Sequence, residues 1–182
     1  MNIELFATLI IIHVLGDFAL QTDRIYIWKT QGGPIGLAIH VMLHLVATIL
    51  LINQTPQLWL FLISLGGVHY VIDWTKLRFK GNQNAVAFLA DQIAHLIHLI
   101  ALSFMFSDLT GVISAPWVYG LALYAVLPAV TMCLWVWAYD LEGRVNDNLW
   151  AAEWRLSMKP MSQAFGVPLV FCMVVSAVMF VF

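Results

Sequence analysis

The sequence predicts an all-α integral membrane protein, a bundle of six transmembrane helices with a short interfacial helix on the cytoplasmic side. Of its 182 residues, 62% are hydrophobic and 10% are charged, whereas a soluble domain has roughly 45–50% apolar and 25% charged residues. Five or six stretches approach or exceed the ~18–20 apolar residues that cross a bilayer. The eight Trp and five Tyr residues suit the aromatic belts at membrane surfaces. We therefore expect one transmembrane domain over residues 1–182.

The predicted spans follow one another with short connections. They are approximately Ile3–Thr22, Pro34–Asn53, Gln57–Phe79, Asn84–Phe106, Pro116–Tyr139 and Ala164–Phe182. The first is predicted to be a span rather than a cleaved signal peptide, because its apolar run carries His13 and Asp17 and no basic segment precedes it. A short loop through Trp28 and Lys29 is expected to follow it. The sizeable polar segment Asp140–Gln163, with Trp150 and Trp154 one turn apart, predicts an amphipathic helix on the membrane surface.

The distribution of basic residues predicts the orientation. All eight Lys and Arg residues fall in the first, third and fifth loops. Because cytoplasmic loops carry the excess of Lys and Arg, these loops are expected in the cytoplasm of a bacterial cell and both termini in the periplasm. A site near the basic loops would then open toward the cytoplasm from the inner membrane.

Cysteine labelling tests this orientation. A periplasmic reagent should label a cysteine at residue 110 or at the C-terminus, but not Gly81→Cys in the basic third loop. Labelling of Gly81→Cys in intact cells would overturn the orientation and the cytoplasmic opening together.

Polar residues repeat at a spacing of four inside the first four predicted spans. Residues four apart share one face of a helix. The pairs are His13 with Asp17, His40 with His44, His69 with Asp73, and Asp91 with His95, and Gln21 continues the first series. Counted from the cytoplasmic ends, Asp17, His40, His69 and Asp91 lie at a similar depth of roughly 10 Å. Since polar groups at membrane depth are costly and by default functional, we expect one shared site in a core over residues 3–106, with accessory helices over 116–182.

Imidazole and carboxylate groups from facing helices are the way in which helical bundles build metal sites. The predicted ligands are His13, His40, His44, His69, Asp73 and His95, among which His40, His44, His69 and Asp73 form the preferred set. Asp17 and Asp91 are further ligands or the catalytic base, and Gln21, Lys76 and Gln92 are candidate substrate contacts. This donor set suits a divalent transition metal, zinc first and manganese or iron next. Cys133 and Cys172 lie apart in other apolar runs, which excludes a thiolate site.

The ordered motif His13-x-x-Gly16-Asp17, then His40 and His44, His69-x-x-x-Asp73 and Asp91-Gln92-x-x-His95 resembles a bacterial and phage membrane family catalogued as domain of unknown function 3307. The resemblance covers the first four spans and implies no established activity. Gly66-Gly67 before His69-x-x-x-Asp73 is also similar to a short motif of membrane proteins described as metal-dependent hydrolases.

The leading expectation is an inner-membrane metalloprotein that hydrolyses a lipid-linked or amphipathic substrate with metal-activated water. The alternatives are a metal-ion or proton transporter, a haem-binding electron-transfer protein, and a non-catalytic subunit of a larger membrane complex. The expected partner is the lipid bilayer, with no nucleic acid, and a homo-oligomer or larger complex stays open. A single intramembrane histidine is more commonly a structural hydrogen-bonding group, and His98 fits that interpretation best.

Overall fold

The computed structural model describes residues 1–31, 33–78, 85–144, 164–172, 174 and 175. Over these residues the chain forms helices and no strand, apart from one isolated bridge between Ile52 and Gly111. The helices are α1 (Ile3–Val14), a π-helical turn (Leu15–Ala19), α2 (Asp23–Gln31), α3 (Gly33–Leu51), α4 (Leu58–Arg78), α5 (Ala85–Met105) and α6 (Trp117–Arg144). Residues 164–172 are also helical.

Helix α1 begins with a side-chain cap, because Asn2 Oδ1 accepts a hydrogen bond from the backbone N–H of Leu5 at 2.9 Å. The helix then widens into the π-helical turn, which ends where the Leu20 N–H donates to the Leu15 carbonyl at 2.7 Å. Such turns insert one residue into the helical register and are frequent at functional sites. Gln21 therefore lies beyond the helix, and the predicted helical face of three residues keeps only His13 and Asp17.

The predicted loop after the first span is wrong, since its residues form α2. This helix bends by 92° away from the segment before it and packs against α3. The closest approach is at Gly36, where a Cβ atom would overlap the carbonyl oxygen of Trp28. Gly33 supplies the positive φ of 61° at the turn between the two helices. Lys29 is thereby brought inside the bundle.

Four described helices, α3, α4, α5 and the Trp117–Ala138 part of α6, are long and apolar enough to cross a membrane. The number is five if α1 and α2 form one broken span. Six spans are not confirmed: the predicted sixth is helical over 164–172, 174 and 175, and the rest of it lies outside the described residues. Helix α6 continues to Arg144, and residues 145–163, with most of the predicted interfacial helix, also lie outside the described part.

The outer surface of the bundle is largely apolar, whereas a set of His, Asp and Lys side chains is buried inside. Large apolar side chains on the helices are widely exposed, among them Ile35 at 75%, Ile63 at 70% and Leu123 at 75%. The core around α1 is also apolar, with Leu5, Leu9 and Phe61 fully buried. Apolar groups facing outward over the length of a span match a lipid environment.

The two ends of the bundle differ in charge. At one end, which we call the Asn2 end, the Asn2 side chain donates to the carbonyls of Ser107 and Leu109, and Asn53 donates to Thr110 Oγ1 and to the Gly111 carbonyl. The segments gathered here contain no Lys or Arg. The opposite end, the basic end, carries Lys29, Lys76 and Arg78. Within the described residues, the connections without Lys or Arg thus lie together at one end of the bundle and these three basic residues at the other.

Candidate metal centre

The four predicted pairs converge in the interior of the bundle. Each pair is supplied by a different part of the fold: α1 with its π-helical turn, α3, α4 and α5. All eight side chains are buried, with 0–8% of each residue exposed. They are His13, Asp17, His40, His44, His69, Asp73, Asp91 and His95. The spacing of four therefore predicted correctly which faces turn inward.

Asp17 is the centre of this cluster. Its Oδ1 atom lies 3.0 Å from His40 Nε2, 3.1 Å from His44 Nε2 and 3.8 Å from His69 Nε2. The Nε2 atom of His13 is 3.6 Å from the other carboxylate oxygen. One carboxylate thus faces imidazoles from α1, α3 and α4 at the same time.

Gly16 makes the approach of α1 and α3 possible. A Cβ atom at this position would collide with the ring of His44. Because Gly16 has no side chain, the His44 ring can reach the carboxylate of the next residue, Asp17. Asp17 lies within the π-helical turn, which sets the direction of its side chain. The Gly-Asp dipeptide is therefore part of the site and not only of helix packing.

Lys29 is a site residue that no sequence pattern predicted. It is 8% exposed, and its Nζ atom lies 2.9 Å from Asp73 Oδ2 and 3.0 Å from His40 Nε2. Asp73 Oδ2 is also 3.4 Å from the Nε2 atoms of His40 and His69. The spacing of residues gives no signal for Lys29, because only the fold-back of α2 brings it to the cluster.

The third carboxylate, Asp91, lies on the α5 side. Its Oδ2 atom forms a 2.7 Å ion pair with Lys76 Nζ, and its Oδ1 atom faces His95 Nε2 at 3.6 Å. Gln92 connects this part of the cluster to α1. Its amide contacts His13 Nε2 at 3.2 Å, Asp91 Oδ2 at 3.2 Å and Asp17 Oδ2 at 3.5 Å. Of the three predicted substrate contacts, Lys76 and Gln92 thus belong to the cluster.

Two polar residues of the same spans lie apart from it. Gln21 follows the π-helical turn and is half-buried, and its Oε1 atom has no hydrogen-bond partner among the described residues. His98 is half-buried on α5, and neither of its ring nitrogens has a hydrogen-bond partner in the described part of the chain. His98 belongs to none of the groups of described side chains that could hold a metal ion.

Three overlapping groups of side chains have ligand atoms that lie within 4.8 Å of one another. They are Asp17 with His40, His44 and His69; His13 with His69 and His95; and Asp73 with Asp91 and His95. The three histidines preferred from the sequence are therefore grouped with Asp17, whereas Asp73 is grouped with the carboxylate and the histidine of α5. Cys133 and Cys172 are free and take no part.

Fold and site together define a class: an all-helical protein with four or five candidate membrane spans around a buried His/Asp cluster. Within it, the chain belongs to the family described as "Protein of unknown function (DUF3307)", whose model matches residues 5–119. This range contains every residue of the cluster and confirms the resemblance found in the sequence. Neither the curated proteins nor the solved structures give a match.

Proposed function

We propose that the protein is an integral membrane metalloenzyme that holds one divalent transition-metal ion with Asp17, His40, His44 and His69. The observation that carries the proposal is the convergence of these four buried ligand atoms from three parts of the fold. Metal ligands bound at ~2.0–2.1 Å in a tetrahedron lie roughly 3.4 Å apart. Here the three distances from Asp17 Oδ1 to the histidine Nε2 atoms and the distance between His40 Nε2 and His69 Nε2 run from 3.0 to 3.8 Å.

The type of ligand favours zinc, manganese or iron over haem. The Nε2 atom of His44 faces Asp17, and the Nε2 atom of His69 faces Asp73. The ring centroids of these two histidines are only 4.0 Å apart. This packing accommodates a small ion and not a macrocycle. The proton that His44 Nε2 shares with Asp17 Oδ1 is released when this nitrogen binds a metal ion.

The charge of the cluster supports a hydrolytic reaction. With neutral histidines, which metal binding requires, three aspartates and two lysines leave one net negative charge. One divalent ion together with one hydroxide would make the buried set neutral, and burial strongly favours neutrality. A bound ion of this kind lowers the pKa of water to about 7 and polarises an ester or phosphoryl oxygen.

The chain's own residues would then bind and orient the substrate. Lys76, 20% exposed at its side chain, and Gln92 lie toward the basic end, from which an amphipathic or lipid-linked substrate would enter the membrane-depth site. In this arrangement Asp17 is a ligand, and Asp91 holds the Lys76 ammonium group near the entrance through its 2.7 Å ion pair. With the basic end in the cytoplasm, the enzyme would act from the inner face of a bacterial membrane.

A site open to one end is better supported than a transport path. Between the cluster and the Asn2 end, Leu5, Leu9 and Phe61 are fully buried. Three buried hydroxyls in this half donate to carbonyls of their own helices, Thr8 to Glu4, Thr48 to His44 and Ser103 to Ile100. These groups offer no continuous polar route for an ion.

Chelation tests the metal centre. A ligand that binds only the folded state stabilises it by about 2.7 kcal/mol at 100 times its dissociation constant. We expect a chelator to lower the melting temperature in detergent, and one of Zn²⁺, Mn²⁺ or Fe²⁺ to restore it preferentially. An unchanged melting temperature after exhaustive chelation of protein shown to have contained metal would contradict a metal held by α1, α3 and α4.

A further inference from the structure

We infer that Asp73, Asp91 and His95 hold a second divalent ion, which binds together with the dianionic phosphoryl group of the substrate. The inference rests on the proposed function, because it adds a second ion beside the first and assigns the substrate class. Its evidence is separate, since it comes from the contacts between α4 and α5 and not from Asp17.

The distances within this group fit shared coordination. His95 Nε2 lies 3.7 Å from Asp73 Oδ1 and 3.6 Å from Asp91 Oδ1. These separations exceed a hydrogen bond, but two ligands bound to one ion at ~2.1 Å lie roughly 3.4–3.6 Å apart at tetrahedral to trigonal angles. The three side chains are 0–2% exposed.

The three candidate ligand atoms of this group also lack hydrogen-bond partners within the described part of the chain. Asp73 Oδ1, Asp91 Oδ1 and His95 Nε2 are buried and have no hydrogen-bond partner among the described residues. Buried polar atoms without a partner are costly, and a common ion would satisfy all three. His95 Nε2 therefore faces two carboxylate oxygens that, like itself, lack a hydrogen-bond partner among the described residues.

The two lysines explain why the carboxylates hold this orientation. Asp73 Oδ2 pairs with Lys29 at 2.9 Å, and Asp91 Oδ2 pairs with Lys76 at 2.7 Å. Each carboxylate thus uses one oxygen for an ammonium group and presents the other to His95. Both lysines come from the basic end, so the side of the group nearest the entrance is positively charged.

The remaining group, with His13, does not add a third ion. It contains no carboxylate, and it shares His69 with the first group and His95 with the second. The Nε2 atom of His13 contacts the Gln92 side-chain oxygen at 3.2 Å. The cluster therefore offers two separate ligand sets, and the His69 ring of the first lies 4.2 Å from the His95 ring of the second.

Charge identifies the substrate class. The residues carry one net negative charge, and a single ion with one hydroxide makes the cluster neutral. A second divalent ion adds two positive charges, which a buried site tolerates only with a compensating dianion. A phosphate monoester supplies it, and paired metal ions are suited to stabilise the attacking and leaving oxygens at phosphorus. The second ion and the phosphoryl group should therefore bind together.

Manganese titration with inorganic phosphate as the probe tests this inference. Metal-stripped, untagged protein in detergent is equilibrated with Mn²⁺, with and without phosphate, and bound manganese is measured by elemental analysis. We expect about one ion per chain without phosphate and about two with it. An electron paramagnetic resonance spectrum of an exchange-coupled Mn²⁺ pair should appear only with phosphate.

Matched variants on α5 complete the experiment. Asp91→Asn should keep about one ion under both conditions and lose the coupled spectrum, whereas His98→Ala should behave as wild type. The retained first ion also reports that Asp91→Asn is folded. One ion in wild type with or without phosphate, or a second ion bound by Asp91→Asn, would overturn the inference and leave the first site standing. No bound ion under either condition would overturn the proposed function, and the second ion with it.

Discussion

Replacing His69 with alanine is expected to abolish both tight metal binding and the thermal response to chelators. His69 stands between the two halves of the cluster, with its ring 4.0 Å from that of His44 and 4.2 Å from that of His95. Its Nε2 atom lies 3.4 Å from Asp73 Oδ2 and 3.8 Å from Asp17 Oδ1. The loss of one of four ligands from a site that α1, α3 and α4 share also removes the only imidazole that α4 contributes.

His98→Ala is the control for this change. It removes the same ring from a half-buried position within the apolar spans, but His98 belongs to none of the three groups. This variant should keep its metal and its sensitivity to chelators. If His69→Ala retains a full complement of metal by elemental analysis, the four-ligand site proposed here is wrong.

Replacing Lys29 with alanine is expected to destabilise the protein strongly. The Nζ atom of Lys29 is 2.9 Å from Asp73 Oδ2, and the side chains are 9% and 0% exposed. Removing one partner of a buried ion pair leaves the other charge uncompensated, which costs about 3–5 kcal/mol. The change in free energy of unfolding, measured by denaturant titration in detergent micelles, should reach this range.

Arg78→Ala is the matched control, because Arg78 is also basic and lies at the same end of the bundle, but is exposed over the ring of Trp74. Its loss should cost well under about 1 kcal/mol. The double variant Lys29→Ala/Asp73→Asn should recover part of the stability lost in Lys29→Ala, because it removes the uncompensated charge. A Lys29→Ala protein as stable as Arg78→Ala would contradict the buried ion pair.

The helical spacing of polar residues was sufficient to predict the four His/Asp pairs that face inward. His40 and His44, like Asp91 and His95, are four apart inside long apolar runs, so a helix must turn both to one face and an apolar environment must turn that face inward. The orientation inferred from the distribution of Lys and Arg stays a prediction that cysteine labelling tests. The spacing of four and the surrounding apolar run are both local features, and they can therefore be recognised from the sequence alone.

The parts that the sequence did not predict depend on tertiary geometry. Lys29 enters the cluster because α2 folds back by 92°, and no periodicity marks that bend. The π-helical turn shifts the register after Val14, so Gln21 leaves the face on which regular spacing would have put it. The grouping of Asp17 instead of Asp73 with the histidines of α3 depends on how each helix is rotated about its axis, which spacing along one helix does not specify.

The metal content of the wild-type protein is the most direct test of the central claim. The protein should be purified without a His-tag and without a chelator, and transition metals should be counted per chain by elemental analysis. The proposed centre at Asp17, His40, His44 and His69 predicts at least about one zinc, manganese or iron ion per folded chain. Folded protein with well under one transition-metal ion per chain, and with no uptake on dialysis against these metals, would contradict it.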